Sequence, residues 1–158
     1  MRVIAIVSVV LIASLTGLVV LTRPLPAGGA DAKGPISSGV AGWKGAAPWA
    51  SGKWGELRKY FAGETAGVRD LETGVGRLKA GEEIHKPHQH AEEEFILITR
   101  GKGKLHVAGK DYPAAEGDMF YAAPWVFHGF TNDSSEELSF FVIKWNGKNG
   151  PPPPKPEK

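Results

Sequence analysis

The sequence contains no cysteine, and that absence removes several chemistries at once. Disulfides, iron–sulfur clusters, thiol nucleophiles and all-cysteine zinc sites are excluded. The redox compartment stays unread, because a cysteine-free chain tolerates either. Excess charge of one sign is lacking too: 19 Lys and Arg stand against 17 Asp and Glu, a formal net charge of +2. A nucleic-acid footprint needs clustered positive charge well beyond that, so no nucleic-acid partner is expected. No internal repeat is visible, and no amphipathic helical stretch exceeds two turns. The 21 glycines and 12 prolines instead suit a chain of many turns. Its 158 residues are about enough for one domain with a buried core.

The first 32 residues form a separate object. From Val3 to Thr22 no residue is charged, and Arg2 and Arg23 bracket the run. It is long enough to span a bilayer and longer than the usual apolar region of a signal peptide. Ala30-Asp31-Ala32 fits a small-x-small cleavage site. Two readings follow: an export signal cleaved after Ala32, or an uncleaved N-terminal membrane tether. Either places the rest of the chain outside the cytoplasm. With no twin-arginine pair, the general secretory route is expected. Residues 33–55 are rich in Gly, Ala, Pro and Ser and read as linker, although Trp43 and Trp49 could clamp this segment onto the domain. Residues 147–158, with Pro151-Pro152-Pro153-Pro154, read as an extended, disordered tail.

Between these ends, residues 56–146 give short β-like runs separated by glycine or charged turns. Expected strands are Leu57–Phe61, Gly74–Lys79, Ile84–His90, Glu94–Thr99, Lys104–Ala108, Met119–Ala123, His128–Thr131 and Leu138–Trp145. Val107-Ala108-Gly109-Lys110 reads as a tight hairpin and Ala115-Glu116-Gly117-Asp118 as another turn. Phe140-Phe141-Val142-Ile143 is apolar on both faces, as suits a strand covered on both sides. Eight short strands in this length suit a small all-β jelly roll better than an open sheet.

The chemistry-bearing residues lie within this region. His88 and His90 are two apart, so on a strand both side chains leave one face. Glu94 keeps the same parity if the strand resumes after a bend, and His128 opens a later strand. Three imidazoles and one carboxylate are ligands for Mn, Fe, Ni, Cu or Zn, and a metal preferring five or six ligands keeps positions for substrate. His85 has the opposite parity to His88 and reads as a surface residue or a lining of the pocket mouth, whereas His106 reads as outward. Glu92 and Glu93 read as a solvated turn. Ile96 and Ile98 share the parity of Glu94, Met119 and Tyr121 share a face, and Phe130 shares that of His128. These five are the expected pocket wall, with Tyr121 supplying a hydroxyl.

Gly81…His88-Gln89-His90…Glu94…Gly101, followed by Gly117…Pro124…His128…Asn132, resembles the two motifs of the cupin superfamily in order and spacing. Two departures fall in turns: an extra residue before His88, and a second motif with Pro124 shifted by one and Val126 near the usual place of a glycine. The resemblance covers about residues 56–146. It implies a single conserved-barrel jelly roll, a metal held by His88, His90, Glu94 and His128, and a small-molecule substrate. It also implies pairing into homodimers and a dioxygenase-like or isomerase/lyase-like activity, with a base role for Glu94. A non-catalytic module binding a sugar or small carboxylate is the alternative, since fold does not fix function.

Overall fold

The computed structural model of the protein describes residues 35–157. The expected export segment, and with it the choice between cleavage and anchoring, lies outside these residues. Among the described residues no helix is long and apolar enough to cross a membrane.

Among the described residues nine strands follow one another: β1 (Ala47–Gly52), β2 (Gly55–Gly63), β3 (Val68–Leu78), β4 (Glu93–Arg100), β5 (Lys102–Val107), β6 (Lys110–Ala115), β7 (Met119–Ala122), β8 (His128–Thr131) and β9 (Leu138–Gly147). They build a six-stranded sheet in the order β1-β2-β3-β9-β4-β7 and a three-stranded sheet in the order β6-β5-β8. Every pairing is antiparallel. The core lies between the sheets, where β4 contributes Ile96 and Ile98, β5 Leu105, β8 Phe130 and β9 Leu138, Phe140 and Val142. Phe130 meets Phe140 edge-on across the gap, with ring centroids 4.6 Å apart.

Local sequence explains most of these elements. The β5–β6 hairpin turns on Ala108 and Gly109, both left-handed (φ 51° and 79°), the conformation a two-residue hairpin turn requires. β9 sits between β3 and β4, which accounts for its apolar run on both faces: Phe140 and Val142 are buried, Phe141 and Ile143 half-buried. Facing Phe140, Gly76 on β3 leaves no space for a side chain, since a Cβ there would lie 2.2 Å from the Phe140 ring.

Three segments differ from expectation. Residues 47–52, inside the stretch whose composition reads as linker, form β1 against β2. The tryptophans nearby explain why this segment adheres. Trp49 packs against the core, and Trp43 lies under the guanidinium groups of Arg58 and Arg77, 4.8 and 4.3 Å from its ring. β6 carries Lys110, Asp111 and Pro113, so its sequence lacks a strand signature; as an edge strand of the smaller sheet it tolerates them. Conversely, Ile84–His90 forms a bend and irregular chain rather than a strand. Pro87 has no N–H to give a ladder, and the segment touches the sheet through one isolated bridge, His88 to His128.

Candidate metal centre

That bridge builds the site. His88 N–H donates to the His128 carbonyl at 2.9 Å, and His128 N–H donates to the His88 carbonyl at 2.8 Å. The two histidines are thereby held opposite each other although 84–90 is irregular, with ring centroids 4.8 Å apart. His90 completes the group, 5.1 Å from the His88 ring and 4.8 Å from the His128 ring. One nitrogen from each of the three lies within 4.8 Å of the other two. Glu94, buried on β4, reaches the same point: its Oε2 is 3.2 Å from His90 Nε2 and its Oε1 3.6 Å from His128 Nε2.

The hydrogen bonds on the far side of the His128 and His90 rings fix what their inner atoms are. His128 Nδ1 lies 2.8 Å from the Val126 carbonyl and His90 Nδ1 lies 3.1 Å from the Glu92 carbonyl. A carbonyl only accepts, so in each ring Nδ1 carries the proton and Nε2 presents a bare lone pair. Those lone pairs face the Glu94 carboxylate, which is also an acceptor. His128 Nε2 and His88 Nδ1 are buried without any hydrogen-bond partner. Acceptors converging on acceptors repel unless a cation lies among them, so this donor set fits a metal ion. The rings of His88 and His128 are also kept neutral. Burial, reinforced by the neighbouring histidines, lowers the His88 pKa to about 4, and burial lowers that of His128.

The centre opens into a cavity of about 230 Å³, smaller than the usual pocket for a drug-sized ligand. Ile96, Phe130, Phe140 and Val142 form inner walls, Trp49, Leu57 and Ile84 line it further, and His85 and Lys144 add polar groups. His85 therefore lines the pocket while remaining exposed, its ring 4.2 Å from that of His88. Lys144, which sequence reasoning missed, lies opposite Glu94 in the β4–β9 register. Its ammonium is 2.9 Å from Glu72, which also takes Lys59 at 2.7 Å. Burial pushes the Glu72 pKa up, but these two lysines outweigh it and hold the group below its ordinary value. The inward parity of residues 140, 142 and 144 was the signal for Lys144.

Two expected wall residues belong elsewhere. Met119 and Tyr121 are 55% and 44% exposed, because β7 turns Phe120 and Ala122 inward. Phe120 brings its ring to 6.0 Å from that of His128. The Tyr121 hydroxyl donates to Glu93 at 2.9 Å, and its ring lies tilted against Phe95 outside the barrel, centroids 4.7 Å apart. Ile98 has the expected inward parity but sits deeper, packed into the core and not lining the cavity. Phe130 and Ile96 do line it. His106 faces away from the centre and pairs with Asp111 and Thr131. Glu92 is more than a solvated turn, lying 3.2 Å from His90 Nδ1 and 4.0 Å from Lys144. Asn132 is structural: its buried amide donates to the carbonyls of Leu78, Lys79 and Glu136.

Residues 74–144 match the cupin domain family. Among solved structures, an RmlC-like cupin from Shewanella frigidimarina superposes with a TM-score of 0.58 at 16% identity, over 72% of this chain and 95% of that one. A protein described as a predicted oxalate decarboxylase, from Thermotoga maritima, gives 0.53 at 24% identity, over 58% and 80%. KdgF from a Halomonas species gives 0.51 at 16% identity, over 62% and 84%. At these identities the likeness is one of fold. No curated protein sequence matches the chain.

Proposed function

We propose that this chain, whose residues 74–144 match the cupin domain family and whose barrel shares the fold of solved cupins, is a metal-dependent enzyme acting on a small organic molecule. The observation that carries the reading is the convergence of acceptor atoms from His88, His90, His128 and Glu94, two of them buried without a partner. These four residues would hold one divalent ion of Mn, Fe, Ni, Cu or Zn. Such an ion supplies Lewis-acid polarisation of a substrate oxygen.

The chain's own residues do the rest. Ile96, Phe130, Phe140 and Val142 take an apolar substrate body and exclude water from it. Lys144 and His85 offer charge and hydrogen bonds to a polar end. Glu94 is the only carboxylate among the lining residues, and it is 7% exposed. That favours proton transfer at its Oε atoms, as in isomerases and lyases, over oxygen insertion. The oxalate decarboxylase description of one neighbour is in keeping with a small acid as substrate. The uncharged run 3–22 supports a place outside the cytoplasm.

Elemental analysis of the purified protein should find about one metal per chain, and His88→Ala should lose it. Equal metal content in the two proteins would remove the assignment. For Glu94→Gln loaded with metal, turnover on a small-acid or sugar library should fall by roughly 10²–10⁴-fold if Glu94 is the base. Wild-type turnover in that variant would exclude the base role. Saturable ligand binding by the wild type with no turnover would establish a binding module instead.

A further inference from the structure

Trp125 has a left-handed backbone, φ 63°, a region that a bulky side chain rarely adopts. Its surroundings must therefore hold it there. Two grips come from the loop that carries the first ligands. The Trp125 N–H donates to the His90 carbonyl at 2.7 Å. With the Gln89 amide assigned the orientation its neighbours require, nitrogen toward the acceptor and oxygen toward the donor, it donates to the Trp125 carbonyl at 3.0 Å. Two more come from the far end of the chain. The indole Nε1–H donates to the Pro153 carbonyl at 2.7 Å. The Lys155 ammonium lies 5.8 Å from the indole ring and donates to the Gln89 amide oxygen at 3.1 Å.

The places of these contacts give them consequence. Gln89 stands between His88 and His90. Trp125 precedes Val126, whose carbonyl fixes the orientation of His128. The tail thus ties the segment holding two imidazoles to the segment that aims the third. We propose that the proline-rich tail, residues 151–157, is a strap that positions the metal-ligand loops by holding Trp125 in its left-handed conformation.

The chemistry of the tail suits this task. Consecutive prolines are already extended, so docking costs little chain entropy, and their carbonyls have no internal partner to give up. Residues 151–157 are exposed and contribute nothing to the core, so their removal leaves the barrel's packing intact.

The test compares the full chain with one ending at Gly150, each carrying either Trp125 or Trp125→Gly, with Zn²⁺ as the probe metal. With Trp125 present, truncation should speed Zn²⁺ release to a chelator about 10-fold, as loss of groups behind a ligand does. Amide hydrogen exchange at residues 88–92 and 124–128 should rise with it. With Trp125→Gly, truncation should change both quantities far less, because glycine holds this φ unaided and offers no indole for the tail to grip, leaving only the Lys155–Gln89 contact to lose. Equal acceleration on both backgrounds, or exchange unaltered by truncation when Trp125 is present, overturns the proposal. The zinc arm rests on the metal reading given above. If the full chain binds no Zn²⁺, that reading fails, and the exchange arm alone decides the strap.

Discussion

An imidazole that refuses a proton makes folding sensitive to acid, and half-buried His88 is such a group. Its folded pKa of about 4 lies below the ordinary histidine value near 6.5. Above pH 6.5 the ring is neutral whether the chain is folded or not, so its contribution is fully present. Between 6.5 and 4 the unfolded chain takes up a proton that the folded chain declines, and stability falls with pH. The urea midpoint of metal-free protein should therefore drop between pH 7 and pH 4.5, and His88→Ala should flatten that drop. An equal slope in the two proteins would show that other groups dominate. At this scale the sequence was most legible. Histidine and glutamate spacing singles out all four converging residues, because ligand chemistry needs particular side chains at particular intervals. It did not reveal how His88 is presented, since Pro87 breaks the strand on which the parity argument stands and a single bridge to His128 replaces it.

Among the elements, the pairing of β3 with β9 leaves the least tolerance. Gly76 faces Phe140, which is 1% exposed and has nowhere to move. Gly76→Ala should destabilise the protein by about 1–3 kcal/mol, the usual cost of forcing extra volume into a packed core, read as a lower urea midpoint with unchanged slope. Tyr121→Phe should leave ligand binding unaltered, since its hydroxyl meets Glu93 outside the barrel. β7 also marks where reading by alternation fails. Met-Phe-Tyr-Ala has apolar or aromatic character at every position, so the pattern names a strand but not its inner face, and the register with β4 decides it. β1 was illegible for another reason. Its glycine- and alanine-rich surroundings resemble a linker, and only tertiary packing of Trp43 and Trp49 gives it a partner.

For the whole molecule, the centre joins parts that the two sheets otherwise hold separately: His128 belongs to the small sheet, Glu94 to the large one, and His88 and His90 to the segment between β3 and β4. An ion bound there stabilises only the folded chain. At 100 times its dissociation constant the gain is about 2.7 kcal/mol. Chelation should accordingly lower Tm by on the order of 10 °C, and an unchanged Tm after verified removal of metal would argue against a shared ion. The jelly-roll class was readable from turn spacing, but the strand order was not, because it depends on pairings between distant segments. That order places the last strand, β9, in the interior of the large sheet, bonded to both β3 and β4. A ribosome delivers the chain from the other end, so β3 and β4 must wait without their shared neighbour until residues 138–147 emerge. Closure of the barrel thus waits on β9, and the nascent sheet stays open until that strand is made.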